Sequence, residues 1–145
     1  MTKPEIVLRP ASSGDGPTLA ALMTSLGYPT SPEQMAARLE RIDREDRYVT
    51  FVAVAQGKIL GMIGAHLGPQ YDSDAPTGRI LALSVDPASQ GRGVGSALVE
   101  RAEAWLRAQG AAAIVVSSRH ERRAAHRFYE HLGYAATGLR FRKPL

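Results

Sequence analysis

Apolar residues along this 145-residue chain change their spacing repeatedly, and each change marks an element. Ile6-Val7-Leu8 predicts a short strand closed by Pro10. Leu19, Leu22, Met23 and Leu26 recur at helical spacing behind Asp15, a cap residue, and Pro17 in the first turn. Gly27-Tyr28-Pro29 ends that helix. Ser31-Pro32-Glu33-Gln34 has the form of a capping box with proline at the first helical position, so a second helix starts there, with Met35, Leu39 and Ile42 inward. Residues 48–55 are rich in β-branched and aromatic types. Gln56-Gly57-Lys58 turns them into a second run, residues 59–67, which predicts a hairpin.

A polar loop over residues 68–78, with Asp72 and Asp74, leads into a β-prone run at residues 80–85. From about residue 93 to 109, Val94, Ala97, Leu98, Ala102, Trp105 and Leu106 form one helical stripe, capped by Gly110. Residues 113–117 read as a short strand covered on both faces, because its residues are nearly all apolar. Residues 122–131 predict a last helix with Ala125, Phe128 and Leu132 inward, stopped by Gly133, and residues 134–141 predict a closing strand. The order βααββ, then βαβαβ, without repeats or linkers, implies one α/β domain over residues 1–145: a mixed sheet with helices on both faces.

The chemistry concentrates where the strand at residues 80–85 meets Asp86-Pro87, and Gln90-Gly91-Arg92-Gly93-Val94-Gly95-Ser96 opens the long helix. Glycines let a backbone approach a ligand, and the first N–H groups of a helix have no partner within it. The helix dipole adds positive charge at that point, so a phosphate or pyrophosphate is the expected guest. The glycine spacing excludes the dinucleotide fingerprint G-x-G-x-x-G, and the next strand ends in Ser117-Ser118 rather than in an acid. The nucleotide-triphosphate loop is excluded too, because no lysine follows the glycines. What fits is Q/R-x-x-G-x-G/A.

Composition narrows the class. Apolar residues at 44% and charged residues at 22% fit a soluble globular core rather than a disordered or membrane-embedded chain. The absence of cysteine rules out disulfides and thiolate metal sites, and with no signal-like or bilayer-length apolar run it points to the cytoplasm. No metal and no membrane partner are expected. The net charge of +4 is uneven: Arg119, Arg122, Arg123, Arg127, Arg140, Arg142 and Lys143 face only Glu121 and Glu130 after residue 118. Such a surface is a solvated face, or it attracts a cofactor with several phosphates; few aromatics interleave with it, so nucleic acid is not the expected partner.

A second pattern agrees with the first. The glycine turn, followed later by Ala125-His126-Arg127-Phe128-Tyr129-Glu130-His131-Leu132-Gly133-Tyr134, resembles the GNAT superfamily of N-acetyltransferases, whose closing helix carries A-x-x-F/L-Y before G-F/Y. The resemblance spans essentially the whole chain. It implies a GNAT-type, mostly antiparallel mixed sheet with a splayed central parallel strand pair, formed here by residues 80–85 and 113–117. Acetyl-CoA is the implied cosubstrate. Its pantetheine arm would pair with backbone groups of Leu83 and Val85, and its pyrophosphate would rest on the turn of Gln90, Gly91, Arg92, Gly93, Val94, Gly95 and Ser96. Arg122 stands where many relatives carry an asparagine that touches the cofactor.

The implied activity is transfer of the acetyl group to a primary amine, on a small molecule or a peptide, by direct attack in a ternary complex. Tyr129 takes the family position of the general acid that protonates the departing thiolate. Many relatives carry a basic glutamate on the strand before the turn; residues 79–84 here hold no carboxylate. The acceptor's proton is left to a water chain, to His66 or to His126. Tyr28, Asp72 and Asp74 are polar groups near the expected acceptor side. The missing carboxylate keeps open a non-catalytic acyl-CoA-binding or sensing module, and exposed edge strands near the C-terminus allow a homodimer.

Overall fold

The computed structural model describes residues 4–117 and 123–145. They form two compact units that divide at Val115/Val116. The strands are β1 (Val7–Pro10), β2 (Tyr48–Ala55), β3 (Lys58–Gly68), β4 (Thr77–Val85) and β5 (Ala113–Val116), and they stand in the order β1-β2-β3-β4-β5. Neighbours from β1 to β4 run antiparallel, whereas β4 and β5 are parallel. The helices are α1 (Gly16–Leu26), α2 (Pro32–Asp43), α3 (Val94–Ala108) and α4 (Arg123–His131).

The two-residue period of the strands sends alternate side chains to opposite faces, and each face is covered. Val52 and its partner Met62 pack with Leu19 and Leu22 of α1 and with Met35 and Leu39 of α2. On the other face, α3 sits so near β3 that a first side-chain carbon at Gly61 would lie 3.1 Å from Leu98 and 3.2 Å from Val94. Leu98, Val94 and Leu106 are buried there. Removing such a side chain from water stabilises the fold by roughly 1.5–3 kcal/mol.

Local signals in the sequence explain most boundaries. Gln34 N–H donates to Ser31 Oγ (3.1 Å) and Ser31 N–H donates to Gln34 Oε1 (2.9 Å), which completes the capping box of α2. The β2–β3 hairpin turns on Gln56 (φ +52°) and Gly57 (φ +76°), two left-handed residues whose twist matches that of the strands. Asp15 occupies the cap position of α1 but does not cap it. Its carboxylate instead accepts from the Arg9 guanidinium (2.8 and 3.0 Å) and from Ser12 N–H (2.8 Å). The ion pair with the guanidinium, together with Ser12 N–H, holds the carboxylate away from the first turn of α1.

Two further expectations fail. Residues 134–141 form no strand: Leu139 and Phe141 are 83% and 89% exposed, and the small residues Ala135, Ala136 and Gly138 give a sheet face little to bury. β5, expected to be covered on both faces, has Ala113 and Val115 exposed and Ile114 and Val116 half-buried: alternate side chains leave opposite faces, and only one face is partly covered.

Candidate functional site

β4 leads into the site. Asp86 N–H still donates to Leu60 O (2.8 Å), and its carboxylate accepts from Ala88 N–H (3.2 Å) and lies 3.5 Å from Lys58 Nζ. A single 3₁₀ turn at Pro87–Ser89 follows, with Ser89 buried. Gly91 and Gly93 then take φ +79° and +78°, a left-handed backbone that costs an L side chain about 1–2 kcal/mol. No described residue lies within 4 Å of where a side chain would begin at either position, and both glycines are exposed. Gly93 is the N-cap of α3.

The hydrogen-bond pattern of this turn is its chief chemical feature. After Gln90, the first backbone N–H to find a protein acceptor is that of Ala97, which donates to Gly93 O (3.0 Å). The six N–H groups from Gly91 to Ser96 have no acceptor among the described residues. They stand at the positive end of a 15-residue helix. Gln90, Gly91 and Gly93 are exposed and Arg92, Gly95 and Ser96 half-buried; Val94 is buried by its side chain, so only its backbone can serve a ligand. This arrangement can bind an extended anion with several oxygens.

The register of β4 shows which of its backbone groups turn toward β3 and which turn toward the β5 side. Asp86 and Leu60 form a hydrogen-bonded pair, so by the alternation of antiparallel ladders Ser84 also faces β3, while Leu83 and Val85 aim their N–H and C=O groups away from it. Gly64 pairs with Ala82 and Ala65 with Ile80, which leaves Leu81 as an extra residue, a β-bulge, 55% exposed. The Ser84 hydroxyl donates to Leu22 O (2.8 Å) in a buried bond, and this ties β4 to the end of α1.

The second unit carries the other expected residues. Tyr129 is half-buried on α4, edge-on to Phe128 (centroids 5.2 Å) and Tyr134 (5.8 Å), and its carbonyl accepts from Tyr134 N–H (3.0 Å). His126 is half-buried one helical turn earlier. Arg122 lies outside the described residues.

On β3, His66 packs against Tyr48 with ring centroids 4.5 Å apart and the rings tilted by 46°. Burial holds its imidazole below the usual histidine range, and the positive charges of Arg79 and Arg47 push in the same direction. The grouping of these arginines with His66 is invisible in the linear sequence, because it depends on pairing across three strands. Asp72 and Asp74 are exposed loop residues and join no ion pair among the described residues.

Comparison with known proteins adds an independent line. Residues 18–134 match the sequence model of the acetyltransferase (GNAT) family. The chain is 33% identical over 147 aligned residues to the aminoalkylphosphonate N-acetyltransferase of Salmonella typhimurium, covering 98% of this chain and 93% of that protein. It is 27% identical to the aminoglycoside N(6')-acetyltransferase type 1 of Stenotrophomonas maltophilia, over 95% and 93% of the two chains. Among solved structures, an aminoglycoside N-acetyltransferase in complex with CoA superimposes with a TM-score of 0.87 at 21% identity, covering 99% of this chain and 98% of that one. Among the described residues, no helix is long and apolar enough to cross a membrane.

Proposed function

Because this chain belongs to the GNAT family of acetyltransferases, we propose that it moves the acetyl group of acetyl-CoA to a primary amine by direct attack in a ternary complex. The row of N–H groups from Gly91 to Ser96, which find no acceptor among the described residues, carries this reading, since it suits a pyrophosphate. The outward backbone of Leu83 and Val85 suits an extended amide-bearing arm laid along β4. Gln90 and Arg92 border the turn, and Arg122 is the further phosphate contact in this scheme.

The acceptor nitrogen attacks the thioester carbonyl carbon, the C–N bond forms, and the C–S bond breaks. An N–H of β4 near Leu83 would stabilise the oxyanion, a type of interaction worth roughly 3–4 kcal/mol. Tyr129 hydrogen-bonds the leaving thiolate, and the second proton that the acceptor nitrogen sheds as the amide forms passes through it to the sulfur. With reference pKa values of about 10 for a phenol and 8.5 for a thiol, full transfer is slightly uphill, so its help lies in hydrogen bonding to the developing charge. The acceptor ammonium loses its proton beforehand to water, His66 or His126, because Arg79 to Ser84 offer no carboxylate. With no cysteine in the chain, no thiol is available for an acyl-enzyme.

The acceptor is a small-molecule amine: the Salmonella and Stenotrophomonas relatives are named for such acceptors, and this chain spans 93% of each. The test is thiol release from acetyl-CoA across a panel of small amines, with acetylated product identified by mass. Amine-dependent release is the expected result. Tight acetyl-CoA binding without release from any amine would leave an acyl-CoA-binding module in place of an enzyme.

A further inference from the structure

Strands β2, β3 and β4 set three chemically active side chains in one row. Tyr48 pairs with His66, and His66 pairs with Arg79, so all three leave the same face of the sheet. On β3 that face is the one of Met62, two strand periods away, which packs against α1 and α2. His66 is fixed in place: its ring packs at a tilt against Tyr48, and a first side-chain carbon at Gly68 would lie 3.0 Å from its Cε1. Arg47 adjoins the row, and its carbonyl accepts from Leu67 N–H (2.9 Å).

The two arginines have no counter-charge among the described residues. Neither Arg47 nor Arg79 forms an ion pair or a side-chain hydrogen bond among the described residues, and Asp72 and Asp74 of the β3–β4 loop pair with neither. Both guanidinium groups are exposed, yet both act electrostatically on the half-buried imidazole between β2 and β4. Two unpaired guanidinium groups beside a neutral imidazole and a phenol make a donor set suited to an oxyanion, which a guanidinium can bind bidentately. Arg79 and Leu83 pair with His66 and Ile63, three residues apart on β3, roughly 10 Å at ~3.3 Å per residue. A long arginine side chain shortens that gap to the span of a small molecule.

Resting on the reading of this chain as an amine acetyltransferase, we propose that Arg47 and Arg79, with Tyr48 and His66, bind an anionic group of the acceptor: a phosphonate, phosphate or carboxylate a few bonds from the amine. The preferred acceptor is then zwitterionic rather than polycationic.

The test uses the full chain and two readouts. In the first, the His66 imidazole is titrated by NMR with and without methylphosphonate. The bound anion offsets the arginine charges, so the His66 midpoint rises, and Arg79→Gln removes this response. In the second, thiol release is compared between 2-aminoethylphosphonate and propylamine. The phosphonate has a kcat/KM at least tenfold higher, and Arg79→Gln or Arg47→Gln erases that preference while acetyl-CoA affinity holds. No methylphosphonate response, together with equal use of the two amines, overturns the subsite but leaves the acetyltransferase intact. A methylphosphonate response in a protein that acetylates no amine supports the anion site and defeats the enzymatic reading instead.

Discussion

Replacing Gly93 by alanine separates the two demands that the glycine turn meets. Its φ of +78° imposes about 1–2 kcal/mol on an L residue, partly offset by about 0.4–1 kcal/mol from a less flexible unfolded chain. Nothing lies within 4 Å of the added methyl, so no clash adds to this. The net loss is about 1 kcal/mol, or about 3–5 °C in Tm for a domain of this size. Gly57 is a matched control, with φ +76° and nothing within 4 Å, but it lies in the β2–β3 hairpin. Gly57→Ala therefore lowers Tm by a similar amount. Only Gly93→Ala also disturbs the N–H row. A hydrogen bond to a charged group contributes roughly 1.5–3 kcal/mol, so misdirecting one raises the acetyl-CoA Kd by about 10- to 150-fold. Differential scanning fluorimetry gives Tm and calorimetric titration gives Kd. Equal acetyl-CoA affinity in the two variants would refute the assignment of the turn to the pyrophosphate.

Three other outcomes are expected. Tyr129→Phe lowers kcat at least tenfold with the acetyl-CoA Kd kept; steady-state thiol release and titration check the two halves separately. Leu98→Ala, which empties the α3 face beneath Gly61, destabilises the protein by about 2–5 kcal/mol in urea unfolding. The Arg9 guanidinium, helped by Ser12 N–H, outweighs burial and holds the Asp15 carboxyl below its ordinary value of 3.8. The unfolded state then binds protons more readily, so this contribution is full above that value and is lost as pH falls through the folded one. Asp15→Asn makes stability less steep in acid, as pH-dependent unfolding would show.

What could be read from the sequence follows from how local the cause is. Ser31 with Gln34, the Gln56-Gly57 turn and the proline and glycine breaks act within a few residues, and they place α1, α2, the hairpin and α3 almost to the residue. The turn at Gly91 and Gly93 is equally local, because left-handed φ values and a helix start are written in the glycines themselves. Asp15 was misread because its stronger partner, Arg9, lies on a neighbouring strand rather than in the helix it precedes. The segment 134–141 was misread because strand-like tyrosine and phenylalanine say nothing about whether a partner strand is available. The row of Tyr48, His66 and Arg79 was missed for a related reason. Only the register of β2, β3 and β4 makes neighbours of residues so far apart in sequence.

Calorimetric titration of the full chain with acetyl-CoA, with NADH as a control, tests the central claim most directly. The account predicts micromolar binding of acetyl-CoA, none of NADH, and a Kd raised about 10- to 150-fold in Gly93→Ala but not in Gly57→Ala. A folded protein that fails to bind acetyl-CoA would contradict it.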